Sequence, residues 1–344
     1  MKITEKILQG IKQTLETGEK VKIDLKEASA ITGSGDGVGG RTFFDDSFAA
    51  LRYANPFRQG SRQIAASGSS VQFVAKTGNA ANSTNPWLYA VTPNSGSPNI
   101  ATSIWQLPTR VITAQLPIRT AVMDDINYLN ETLVQDLFLE FSQLEAQSMA
   151  SNNDQSGSTT TSTGGVNGLR GLTYYPTSTS AAAYGSSGTA ITNGLHTIKS
   201  VLHSVTAVDY DTLANVANAL PGQYWSSPTT AWHIHPSLIS QFRQLTTTGG
   251  NTALSEIGAD NAGAGLHVFG FPVIPNPYLD APTGAGKIPL VLADWGRFLT
   301  IADVEEMNVQ AMEQTQPGFV TLYAEKRLVS TVRDPFAGIF LVGS

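Results

Sequence analysis

Hydrophobic spacing changes period three times along the chain. Over residues 1–17, Ile3, Ile7, Leu8, Ile11 and Leu15 share one face at helical spacing and Gly18 stops the run, which predicts a short amphipathic helix. "VKIDL" (21–25) alternates and predicts a strand. From 60 to 120 the period is two: Val71, Phe73 and Ala75 alternate with polar neighbours in "SSVQFVAKTG". "NPWLYAV" and "SIWQLPTRVITAQLPIRT" follow, set apart by the turn-rich "NAANSTNP" and "TPNSGSPN". This predicts a long two-stranded excursion, and a hairpin with so little core of its own needs another surface to lie on. A 3.6-residue period then runs through Ile126, Leu129, Leu133, Leu137, Phe141 and Leu144, predicting a helix over 126–150 that ends in the low-complexity "SNNDQSGSTTTSTGG".

Beyond that loop the pattern mixes. Leu195, Ile198, Val201, Leu202 and Val205 fit one helical face, and "YDTLANVANALP" fits a second helix closed near Pro221. "TAWHI" reads as a short strand, and Pro236 suits the first turn of a helix over "PSLISQFRQL". The last third reads as strands: "HVFGFPVIP", "IPLVLAD", "FLTIAD", "NVQAME", "FVTLYAEKRLVSTV" and "GIFLVG". No internal repeat is visible, and the fold class expected is α+β.

Composition sharpens this. The 344 residues suffice for roughly two domains. Only 14% are Asp, Glu, Lys or Arg, against about 25% in a typical soluble domain. A chain so poor in charge either covers much of its surface with other copies or is a secreted Ser/Thr/Asn-rich β protein; composition does not separate the two. Net charge is -6, so the chain as a whole is no electrostatic footprint for nucleic acid. Lys2, Lys6, Lys12, Lys20, Lys22 and Lys26 crowd the beginning, but Glu5, Glu16, Glu19 and Asp24 interleave with them, as on a solvated helix face. The lack of cysteine excludes disulfides, thiolate catalysis and Cys-ligated zinc. Neither a signal-peptide apolar region nor a membrane-span-length apolar run is present, so the expected compartment is a cytoplasm.

Candidate chemistry is thin. Gly35-x-Gly37-x-x-Gly40 has the spacing of a dinucleotide fingerprint, but no buried strand precedes it, which leaves a flexible linker. "AKTG" (75–78) lacks the Ser-x-x-Lys that would give it meaning. Glu305 and Glu306 are neighbours on an expected strand and point to opposite faces. Asp124 and Asp125 sit where carboxylates complement a helix dipole. The pair His233 and His235 in "TAWHIHP" is the one motif with metal-ligand character. A site needs a third ligand, and His196, His203 and His267 lack ligand spacing. No catalytic residue, metal or cofactor is therefore expected, with a soluble His-dependent metal hydrolase kept as the remote alternative.

The same stretches, in order, resemble the major capsid proteins of tailed bacteriophages with the Hong Kong 97-type fold. In "DTLANVANALPGQYWSSPTTAWHIHPSLIS" (211–240), Leu220, Pro221, Tyr224, Trp232 and Pro236 match that family, with His235 where Asn is frequent. Met123, Asp124 and Asp125 resemble its entry into the long spine helix, and "GGVNGLRGL" the segment after it. "VFGFPVIPNPYL" with "GKIPLVLADWGRFLTIAD", and then "FVTLYAEKRLVSTVRDPFAGIFL", resemble its closing segments. The resemblance implies an N-arm over 1–58, an extended E-loop hairpin over 59–108, and a P-domain with spine helix over 109–195. It further implies an A-domain over 196–295 and closing P-domain strands over 296–344.

On this resemblance the chain forms hexamers and pentamers of an icosahedral shell around double-stranded DNA, assembled in the host bacterial cytoplasm and forming part of the virion. Expected contacts to neighbouring subunits are Arg62, Lys76, Trp87, Tyr89 and Trp105 in the E-loop, and Ile3, Ile7, Ile11 and Leu15 in the N-arm. Partners implied are the chain itself, a separate scaffolding protein, portal and decoration proteins, and the DNA on the inner face, with no membrane. About 45 residues precede the hairpin region, fewer than the built-in scaffolding domain of some members; the expectation is a separate scaffold, the other reading being a chain already trimmed. Lys76 is the only lysine of the hairpin, and a covalent crosslink through it lacks an identifiable carboxylate and Asn partner. An encapsulin shell holding protein cargo is the main alternative; a β-rich adhesin fits the long helix poorly.

Overall fold

A computed structural model of the chain describes residues 54–79, 100–119, 129–154, 168–181, 193–204, 208–244, 266–316 and 319–344. These all fall in one unit, Ala49–Ser344. The expected N-terminal helix and strand, the glycine linker, the Asp124–Asp125 pair and the hairpin tip lie outside them.

The first described elements are helix α1 (Phe57–Gly60), strand β1 (Arg62–Ala65), the pair β2 (Ser70–Asn79) and β3 (Ile100–Pro108), and β4 (Arg110–Arg119). The long helix is α2 (Leu129–Ala150), followed by the short strand β5 (Thr177–Ser178) and by β6 (Ile198–His203). Next come helix α3 (Tyr210–Ala219), strand β7 (Thr230–Ile234) and helix α4 (Pro236–Gln244). Strands β8 (His267–Val268), β9 (Phe271–Pro275) and β10 (Leu290–Asp294) lead into helix α5 (Trp295–Phe298). The chain closes with β11 (Leu299–Gln316), β12 (Phe319–Val332) and β13 (Gly338–Gly343).

Three sheets result. One is four-stranded, in the order β1-β11-β12-β4, with β1 parallel to β11. One is seven-stranded, in the order β5-β6-β13-β10-β7-β9-β8. The third is the β2–β3 ribbon alone. At the centre of the seven-stranded sheet, every residue of β7, β10 and β13 is buried. Their sequences are accordingly near-continuous apolar runs, as strands covered on both faces require. Trp232, Trp295, Phe298 and Phe340 fill the main core around them. The 296–344 block divides between sheets: β11 and β12 belong to the four-stranded one and β13 to the seven-stranded one.

Three expectations change. The helix expected over 195–205 is strand β6, paired in parallel with β13. Its apolar residues satisfied both periods, but Ile198, Ser200 and His203 are the buried ones, with Leu202 facing out. A sheet slot beside β13 overrode the helical spacing. "FLTIAD" and "NVQAME" join into one strand, β11, whose register slips against β12 between Asp303 and Glu305 and again between Glu305 and Asn308. These bulges broke the alternation that separated the two readings. On α2, Leu144 is turned outward while Phe141, Glu145, Ala146 and Met149 are buried. The stripe facing the core follows Phe141, Glu145 and Met149, a spacing of four.

Candidate assembly surface

The β2–β3 ribbon is two-faced. Phe73 stands opposite Trp105 and Val71 opposite Leu107. Phe73, Trp105 and Leu107, with Ala75, pack on Ala302 of β11 and Val329 of β12. The excursion thus uses its own chain's four-stranded sheet as the floor for its base. On the other face Val74 and Ile104 stand opposite each other and are 57% and 49% exposed. Two β-branched residues side by side, this far in water, form the kind of bare apolar strip that a partner covers.

Trp105 anchors the base. It is 2% exposed, stacks on Phe73 and meets the edge of His196. Its indole Nε1 donates to Thr331 Oγ1 at 3.2 Å. Tyr175 joins the same hydroxyl at 3.2 Å and accepts from the Val332 backbone N–H at 2.8 Å. Gly194 lies under the indole with φ +71°, and a Cβ there would fall 2.4 Å from the ring. Among the expected contact residues, Trp105 is therefore packed inside its own chain. Arg62 is exposed at the start of β1, and Lys76 stands opposite Thr102 on β2. Trp87, Tyr89, Ile3, Ile7, Ile11 and Leu15 lie outside the described residues.

A second feature has no counterpart among the expected residues. Glu145, on the buried stripe of α2, accepts from Arg58 Nε and from Lys326 Nζ, both at 2.6 Å. Arg58 also forks onto Asp303, with contacts of 2.9 and 2.7 Å. Two cations and two carboxylates thereby join the segment before the hairpin to α2, β11 and β12. Burial acts on the Asp303 carboxyl first and raises its pKa, but Arg58 and then Lys326 outweigh it and hold it below the usual carboxylate range. Beside this quartet an open cleft of about 670 Å³ is lined by Ile64, Phe138, Phe141 and Val304. The legible signal was Glu145 itself, a carboxylate four residues from Phe141 on an apolar stripe.

The histidines have structural duties. His233 is fully buried, stacked on Phe57 and tilted against Trp295, which also meets Phe57, with Asn276 Nδ2 3.4 Å from its Nδ1. His235 lies just past β7, and its Nδ1 accepts from the Ser237 backbone N–H at 3.2 Å. It caps α4 as an Asn would. Among the described residues no three His, Asp or Glu side chains converge on a metal site. Burial pushes His233 down to about 3. Burial, then the Arg170 guanidinium, pushes His196 down to about 4. Both rings are neutral in the fold, whereas the unfolded chain takes up protons near pH 6.5. The stability they carry is thus whole above about 6.5 and drains as pH falls, by about 1.4 kcal/mol per pH unit for each histidine. Urea melts from pH 7.5 to 4.5 should show this decline, and His233→Phe should lessen its slope. A flat profile contradicts it.

Residues 41–343 match the phage capsid family. No curated protein sequence matches the chain. Among solved structures, the capsid of a native GTA particle superposes with TM-score 0.68 at 18% identity, over 92% of this chain and 99% of that one. A chain from Mycobacterium phage Bobi gives 0.56 at 11% identity, covering 94% and 99%. The capsid of Cyanophage P-SCSP1u gives 0.54 at 13%, covering 95% and 96%. At such identities the likeness speaks for the fold, which is of the Hong Kong 97 type and α+β.

Proposed function

The chain belongs to the phage capsid family, and from that premise we propose how it works as a major capsid protein. Copies associate as hexamers and pentamers and close an icosahedral shell around double-stranded DNA. The observation that carries this reading is the family match over 41–343 together with a hairpin that bares Val74 and Ile104. A subunit meant to stay alone has no use for that strip; in a shell, a neighbour covers it.

The domain assignment is part of the same proposal. The N-arm (1–58) and E-loop (59–108) reach for neighbours, through Lys76, Trp87 and Tyr89 on the hairpin and Ile3, Ile7, Ile11 and Leu15 on the arm. The P-domain takes 109–195, with α2, and the closing strands of 296–344, and the A-domain takes 196–295; within the closing block, β13 pairs with β6 and β10. Assembly takes place in the host cytoplasm with a separate scaffolding protein, and portal and decoration proteins complete the particle. Among the described residues no helix is long and apolar enough to cross a membrane.

Electron microscopy of the full chain, expressed alone and with a scaffold, tests this. Closed shells or capsomer rings support it. A monomer under every condition overturns it, and native particles filled with protein instead of DNA would transfer the chain to the encapsulins. The variant Val74→Glu/Ile104→Glu should form few shells while its melting stays within about 1 kcal/mol of the parent, since exposed positions cost little on their own.

A further inference from the structure

Three arginines gather at one end of the four-stranded sheet. Arg62 opens β1 and stands opposite Thr300. Arg297 lies in α5, just before β11 begins. Arg333 follows β12, and its N–H donates to Phe298 O at 2.8 Å. Because β1 and β11 run parallel and β12 antiparallel to them, the three converge. Arg62 and Arg333 carry no ion pair among the described residues, and Arg297 reaches only the buried Asp294, at 3.6 Å. The other nearby carboxylate, Asp334, is engaged by the Tyr224 hydroxyl at 2.8 Å and the Phe336 N–H at 3.1 Å. Burial, then Arg62 and Arg297 against the pull of Asp334, hold the Arg333 guanidinium below the usual arginine range. The Arg297 guanidinium sits 5.7 Å over the Tyr224 ring, and the next residue, Trp225, is 48% exposed.

Like charges left this close are uphill unless something anionic meets them. We propose that Arg62, Arg297 and Arg333, with the exposed Trp225 that follows the Tyr224 under Arg297, form a docking patch for acidic side chains of a neighbouring copy in the shell. The proposal rests on the shell reading and names one of its contacts. Two observations favour a protein partner over the genome. Arginine and tryptophan together are the composition of protein–protein hot spots. Three arginines on a chain with 27 acids and 21 bases would neutralise few phosphates, and the electrostatic affinity for DNA grows with the number neutralised. The same excess of acid makes another copy a source of carboxylates.

The test is Arg62→Glu/Arg297→Glu, both exposed positions, in the full chain, with Arg62→Gln/Arg297→Gln as the milder pair. The expected result is shell yield down at least tenfold for the Glu pair at temperatures where its subunit is still folded, and down less for the Gln pair, whose melting temperature stays near the parent's. A photo-crosslinking residue at Trp225 should join an Asp/Glu-bearing peptide of another copy in assembled shells. Normal shell yield from the Glu pair overturns the proposal, as does a crosslink to nucleic acid, which would give the patch to the genome. Parent shells forming while these results fail would leave the shell reading intact and remove this contact alone.

Discussion

Gly171→Ala is expected to abolish folding. A Cβ at this position would lie 1.7 Å from the Ser151 carbonyl oxygen and 2.6 Å from its carbon. Both are backbone, so no side chain can swing aside. Nor can either segment yield. Gly171 N–H donates to Asn153 O at 2.9 Å, Leu169 N–H to Ser148 Oγ at 2.7 Å, and Thr173 Oγ1 to Ala150 O at 3.0 Å. Leu169 and Leu172 are buried on either side. A clash so confined places the cost beyond about 4–5 kcal/mol, the exceptional end of single substitutions. Soluble yield and circular dichroism are the readout. Gly222→Ala, whose Cβ would meet nothing within 4 Å, is the control and should leave both unchanged. A folded Gly171→Ala subunit would mean that the crossing of α2 and the 168–174 segment is looser than described.

Glu145→Ala ranks next. Glu145 is 1% exposed and is the point where Arg58 and Lys326 meet on α2. Its removal leaves two cations sharing Asp303, with Lys326 3.7 Å from it. Breaking a buried pair from one side costs up to about 3–5 kcal/mol, because the two partly desolvated cations are left with Asp303 alone between them. A denaturant melt should show a loss of that size, smaller for Glu145→Gln, which keeps the shape and an acceptor. The double variant Glu145→Ala/Lys326→Met should recover part of the loss, and strict additivity would show that the two are uncoupled. The quartet is a register device more than a source of net stability, since well-packed apolar replacements of such groups can be neutral.

How much of this was legible depended on range. Elements with local signals stood out: the helix α3 closed near Pro221, Pro236 at the start of α4, and the unbroken apolar run of β10. The family resemblance, resting on the order of such segments, supplied the fold. Pairing partners were hidden. Nothing in "IKSVLH" announces that it lies beside "GIFLVG", so its spacing read as a helix. The quartet was hidden for the same reason, as Arg58 and Asp303 are 245 residues apart. His233 and His235 looked alike in sequence, and only the structure separates a stacked core ring from a helix cap. Trp105, read as a contact by its place in the hairpin, is packed on Phe73 and His196 because Gly194 leaves room for the indole.

The position of β13 bears on timing. It lies between β6 and β10, parallel to one and antiparallel to the other, inside the larger sheet. A ribosome therefore makes β5 to β10 before the strand that joins them exists. Until β13 emerges, β6 and β10 each carry a row of unpaired N–H and C=O groups, which are templates for pairing with another chain. Parallel pairing of segments so far apart in sequence is also slow, since loop closure must come first. The nascent subunit passes through an interval when it is open to wrong partners and not yet competent for right ones. Because insertion of β13 finishes the sheet, it also marks the moment at which a free polypeptide becomes a building block.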